Sequence, residues 1–113
     1  MLRDETIQRV LKFRDDRNWR QFHTPKDLAL SLSLEAAELL EVFQWSGTDL
    51  ECREKAVKIR EELADVLSYC ILMADVCGLD LDEIMNEKVT KNEAKYPVEK
   101  AWGSAAKYTQ FSK

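Results

Sequence analysis

Two pairs of carboxylates stand three residues apart in this chain, Glu35-x-x-Glu38 and Glu62-x-x-Asp65. Three residues is close to one helical turn, so each pair leaves its backbone on one side of a helix. Four anionic groups gathered in a partly desolvated cleft repel one another, and burial penalises their ionisation. A divalent cation relieves both costs. An all-oxygen set suits Mg²⁺ or Mn²⁺ better than zinc, which favours His and Cys. The chain has one His and three Cys, and the Cys lack the C-x-x-C spacing of a zinc site. The bland reading is surface charge on amphipathic helices, where such spacings are common.

Helices able to position these groups can be drawn from start and stop signals. A first helix is expected from about Glu5 to Asp16, with Ile7, Val10, Leu11 and Arg14 at helical spacing. Thr24-Pro25-Lys26-Asp27 opens a second, since Thr24 can cap, Pro25 suits the first helical position and Asp27 reaches back toward the cap. It should reach Trp45, before Ser46-Gly47. Thr48-Asp49-Leu50-Glu51 resembles a capping box for a long third helix ending near Cys77, with Gly78 as the stop. Asp80 caps a fourth, which should end near Tyr96 because Pro97 disfavours helix at the residue before it. The tail from about residue 98 to 113 has no clear period.

At about 100° per residue, Leu28, Leu32, Leu39, Val42 and Phe43 form one stripe of the second helix, with Glu35 inside it and Glu38 about 60° to its side. The opposite wall is also apolar, with Leu30, Leu34, Ala37 and Trp45. A helix apolar on two walls is expected to pack on both, in a bundle or against another subunit. On the third helix the expected core stripe is Cys52, Ala56, Ile59, Leu63, Val66, Cys70, Met73 and Cys77. Glu62 and Tyr69 lie at its edge, Asp65 one step beyond, and Glu61 points away. The matched pairs, and Glu35 within an apolar stripe, favour a cation site over solvated charge.

The fourth helix supplies the opposite sign. Lys88, Asn92 and Lys95 continue the stripe begun by Leu81, Ile84 and Met85, so a cation there could meet phosphate. The alternative is a lysine stem lying on the core with its head in water. Trp19, Phe22 and His23 precede the second helix and Trp45 ends it; such residues either stack on a nucleobase or anchor a core.

Composition narrows the choices. With 113 residues the chain is expected to be one domain, and 3 Gly and 2 Pro leave few turns for a many-stranded β fold. The resulting expectation is all-α, a four-helix bundle-like domain that oligomerises through helix faces. The net charge of −4 conceals an acidic middle between basic ends, with no continuous basic patch for nucleic acid. Apolar runs are broken by Asp65 and Asp75 before the length of a membrane span. Cysteine usage and the N-terminal residues suggest a reducing, cytoplasmic setting.

Taken together, Glu35-Ala36-Ala37-Glu38-Leu39 and Glu61-Glu62-Leu63-Ala64-Asp65 resemble the E-x-x-E … E-x-x-D signature of the MazG-like all-α nucleoside triphosphate pyrophosphohydrolases. Trp19-Arg20-Gln21-Phe22-His23, Phe43-Gln44-Trp45, Lys88-x-x-x-Asn92 and Lys95-Tyr96-Pro97 are similar to the dCTP pyrophosphatase branch. The resemblance implies Mg²⁺-dependent cleavage of a (deoxy)nucleoside triphosphate, dCTP or a modified dCTP above others, to the monophosphate and pyrophosphate. It implies Glu35, Glu38, Glu62 and Asp65 as metal ligands. Trp19, His23, Trp45 and Tyr69 would form the nucleotide pocket, and Lys88, Asn92 and Tyr96 the phosphate side. Glu38 or Glu62 would take the proton of the attacking water, and Lys88 would neutralise the leaving pyrophosphate. A homodimer or homotetramer is implied, because a second subunit completes the pocket in such enzymes. The tail from Tyr96 to Ser104 resembles the family's C-terminal extension, with Trp102, Ala105 and Ala106 where more polar residues are expected.

Two other readings compete. Helical di-iron proteins also gather glutamates, but they need Glu-x-x-His pairs, and His23 is expected in a loop. An acidic helical module binding a basic partner would leave the carboxylates exposed and independent of metal. Within the enzyme reading, a relative acting on dUTP, a damaged triphosphate or phosphoribosyl-ATP is the alternative.

Overall fold

A computed structural model describes residues 2–110. Among them are helices and turns and no strand, so the chain is all-α. It forms two compact units, one reaching to Gly78 and one beginning at Leu79.

The first unit holds α1 (Asp4–Asp16), α2 (Pro25–Glu41) and α3 (Ala56–Val76), with α3 packed against both others. The start of α2 follows from its residues: the Asp27 N–H donates to Thr24 Oγ1 at 3.1 Å, and Pro25 occupies the first turn. Its expected stripe faces inward, with Leu28 and Val42 buried and Leu32, Glu35, Leu39 and Phe43 half-buried. The opposite wall lies open on this chain, with Leu30, Leu34 and Trp45 exposed, Trp45 at 86%.

Three boundary or phase expectations are corrected. The second helix ends at Glu41, not Trp45. From Val42 the backbone tightens to bonds across three residues: Val42 N–H to Leu39 O at 3.3 Å, Phe43 N–H to Leu40 O at 3.0 Å and Gln44 N–H to Glu41 O at 3.2 Å. The third helix begins at Ala56, after a 3₁₀ turn over Arg53–Lys55, and not at the Thr48 box. Asp49 Oδ1 does accept from Glu51 N–H at 3.2 Å and Cys52 N–H at 3.1 Å, but Cys52 has φ of 48° and its left-handed backbone interrupts the chain there. Cys52 is thus a buried loop residue and not part of a helical stripe, its Sγ 3.9 Å from both Val42 O and Asp49 O.

The core face of α3 also differs. Leu63, Ala56 and Cys77 are exposed, whereas Glu62, Ile71, Leu72 and Ala74 are buried. Leu63 lies about 100° round from the inward Glu62, and the second half of α3 is buried on several sides, which a single stripe does not capture. The stop is as expected, with Cys77 capping and Gly78 at φ of 67°.

In the second unit, Asp80 Oδ1 accepts the Glu83 N–H at 2.9 Å and opens α4 (Leu81–Lys95). Tyr96 caps its end before Pro97. The one-turn α5 (Val98–Ala101) and a 3₁₀ turn at Tyr108–Gln110 occupy the tail that showed no period; residues 111–113 lie outside the described residues. No helix is long and apolar enough to cross a membrane among the described residues.

Candidate metal and nucleotide site

The packing of α2 on α3 brings the two carboxylate pairs into register. Glu35, Glu38, Glu62 and Asp65 each offer an oxygen, and these atoms all lie within 4.8 Å of one another. Burial is uneven: Glu62 is buried, Glu35 half-buried, Glu38 and Asp65 exposed, while Glu61 beside Glu62 faces solvent. One oxygen on each inward group, Glu35 Oε2 and Glu62 Oε2, is buried without a hydrogen-bond partner. A buried carboxylate oxygen left bare is costly, and an oxygen-seeking cation among four carboxylates would satisfy it. The donor set therefore fits a hard divalent cation.

Electrostatics divide the pairs. Glu38 has its carboxyl pushed up to about 7, because its neutral form can hydrogen-bond to Glu35 first and to Glu62 next, and because both repel its charged form. Glu62 is held below the usual carboxylate range because Lys58 Nζ sits 2.6 Å from its Oε1, outweighing burial. The same contact raises Lys58. With no metal bound, Glu38 thus holds its proton more tightly than a free carboxyl, and Glu62 leans on a lysine.

The quartet stands between two cavities of about 520 Å³ each. Glu35 and Asp65 line the first together with Phe13, Arg14, Trp19, His23 and Tyr69. Phe13 and Trp19 meet edge to face at 5.7 Å. His23 Nδ1 is buried without a partner, and burial, then the Arg14 charge, lowers the His23 pKa and favours the neutral ring. Arg14 itself is buried, with Nε 2.8 Å from Asp15 Oδ1 and Nη1 2.6 Å from Asp75 Oδ2. Glu38 and Glu62 line the second cavity with Glu41, Val42, Lys55 and Lys58.

Of the residues singled out in the sequence, the structure gathers the four acids, and gathers Trp19, His23 and Tyr69 beside two of them. It does not bring Trp45 to that cavity; the turn after Glu41 carries it outward. Lys88 and Asn92 lie one turn apart on α4 and are exposed, and the Tyr96 ring meets Tyr108 edge to face at 5.9 Å within the second unit. Phe13, Arg14 and Lys58 were not among the expected site residues. Lys58 had a local signal, the i, i+4 spacing to Glu62. Arg14 had a weaker one, a charge in an apolar stripe.

A family model described as the MazG-like family matches residues 30–111. The chain is 39% identical to dCTP pyrophosphatase 1 of Mus musculus, over 95% of this chain and 66% of the relative. To dCTP pyrophosphatase 1 of Homo sapiens it is 40% identical, over 95% and 66%. It therefore spans just under two thirds of the length of these curated relatives. The crystal structure of a pyrophosphatase from Archaeoglobus fulgidus matches with a TM-score of 0.77 at 44% identity, covering 83% of this chain and 91% of that one.

Proposed function

The chain belongs to the MazG-like family, and from that premise we propose that it is a divalent-metal-dependent pyrophosphohydrolase converting a nucleoside triphosphate, dCTP or a modified dCTP, to the monophosphate and pyrophosphate. One observation carries the reading: a four-carboxylate cluster with buried, unpartnered oxygens beside an aromatic cavity. The names of the relatives support the choice of substrate. An acidic face for a basic partner would leave the carboxylates in solvent, and the burial of Glu62 speaks against it.

Glu35, Glu38, Glu62 and Asp65 would hold Mg²⁺ or Mn²⁺. When bound, such a cation supplies neutralising charge to the phosphoryl oxygens and lowers the pKa of water. Trp19, His23 and Tyr69 receive the base, the neutral His23 ring offering one nitrogen for hydrogen bonding. Glu38 or Glu62 would take the proton of the attacking water, both carboxylates standing in the cluster beside the lysine-lined cavity. Lys88, Asn92, Tyr96 and Trp45 are assigned to the phosphate and base sides by the family resemblance. The open wall of Leu30, Leu34 and Trp45 supports a homodimer or homotetramer.

The deciding experiment is release of pyrophosphate against orthophosphate from a panel of canonical and modified dNTPs and NTPs, with Mg²⁺ and with EDTA. Metal-dependent pyrophosphate from a pyrimidine deoxynucleotide, dCTP above all, is expected. Silence across the panel, with no melting shift on adding Mg²⁺, would return the protein to the interaction-module reading.

A further inference from the structure

The quartet is shared two and two between cavities of opposite character. Glu35 and Asp65 open onto aromatic rings, with Arg9 and the carboxylate-paired Arg14 in the same wall, whereas Glu38 and Glu62 open onto Lys55 and Lys58 and no ring. A nucleoside triphosphate has the same asymmetry, a flat base at one end and its densest negative charge at the other. Resting on the pyrophosphohydrolase reading above, we propose that the lysine cavity is the seat of the pyrophosphate end, with Lys58 and Lys55 as cationic contacts in addition to the Lys88 that the resemblance implies, so that substrate crosses the quartet from one cavity to the other.

The charges of this cavity favour that ligand once a cation is in place. Glu38 and Glu62 then belong to the metal, and Glu41 alone remains against two lysines. Lys58 is paired with Glu62 Oε1 at 2.6 Å, and its side chain is 59% exposed. When Glu62 spends its charge on a cation, the ammonium is freed with room to turn to a phosphate oxygen. Lys55 Nζ donates to Val42 O at 3.3 Å, a neutral acceptor that leaves its charge uncompensated. In hydrolysis, the oxygen of water joins one phosphorus of the α–β anhydride and the bridging P–O bond breaks. The electron pair stays on the departing phosphate, and a water proton passes to a carboxylate. Attack at either phosphorus yields pyrophosphate as one of the two products, and ammonium groups at the β,γ end would bind its charge.

The test is product inhibition at fixed free Mg²⁺ in the wild type, Lys58→Met, Lys55→Met and Lys58→Arg, with direct calorimetry of magnesium pyrophosphate. Each Lys→Met change is expected to weaken pyrophosphate about tenfold, with monophosphate inhibition held to within about twofold. Lys58→Arg is expected to recover most of the affinity. Because Lys58→Met also removes the partner of Glu62, Lys55→Met and Lys58→Arg keep the test informative if that variant folds poorly. Unchanged pyrophosphate binding in variants that still turn over, or weakened monophosphate instead, would overturn the assignment. A wild type that hydrolyses no triphosphate would sink the parent reading and this one with it, whereas turnover with unaltered pyrophosphate binding sinks this one alone.

Discussion

The α1–α3 contact and the α2–α3 contact each bury one charge, and the two are finished differently. Arg14 meets carboxylates on both sides, Asp15 through Nε and Asp75 through Nη1. Glu62 meets Lys58 through one oxygen and leaves the other bare. A buried charge with its partners in place holds two elements together. One left half-satisfied, beside three more acids, is built for something that arrives later. A buried oxygen left bare, more than burial itself, marks the metal site in this chain.

The sharpest way to break that contrast is Glu62→Gln. Metal affinity should fall by more than the roughly 100-fold upper figure for loss of a ligand's supporting partner, and triphosphate turnover should vanish while far-ultraviolet circular dichroism is unchanged. Retained turnover would remove Glu62 from the site. The next effect is one of pH. Ligands must lose their protons to bind metal. With Glu38 raised to about 7, Mg²⁺ affinity measured calorimetrically should weaken up to about tenfold per unit as pH falls below 7, and flatten above it. The sign follows because the metal-free state binds the proton and the loaded state does not. A flat profile from pH 5.5 to 8 would contradict the raised Glu38 carboxyl.

Arg14→Met is the converse of Glu62→Gln. It should cost about 1–3 kcal/mol of stability, seen in thermal melts, because Asp75 loses its partner. Mg²⁺ affinity should hardly move; a large loss would place Arg14 in the site and not the scaffold. The smallest effect is expected next door: Glu61→Gln, on the exposed face, should change stability by no more than about 0.5 kcal/mol and leave turnover near the wild-type rate.

How far these differences can be read from the residues depends on whether their causes are local. The start of α2 and the inward position of Glu35 are local, set by Thr24-Pro25 and by a clean stripe from Leu28 to Val42. Glu62 against Glu61 was equally legible, since neighbours on a helix face different ways. The end of α2 was not, because no Gly or Pro marks Val42, where the ladder tightens. Nor was the start of α3, which turns on a left-handed Cys52, a conformation that its residue type does not announce. One partner of Arg14, Asp75, lies 61 residues away. The shape of the aromatic cavity likewise arises only when three helices are assembled, and that of the lysine cavity when α2 and α3 meet.

Cys52 has a practical consequence. Its thiol is 1% exposed at the bend between the two helices that carry the acids, whereas Cys77 is open to solvent. A thiol reagent reaches Cys77 directly but reaches Cys52 only when the bend opens. The chain therefore contains its own reporter and its own reference: the rate of labelling of Cys52 relative to Cys77 gives the opening equilibrium of the bend when reclosing is faster than labelling. Slower labelling with metal present would measure how firmly a cation ties α2 to α3.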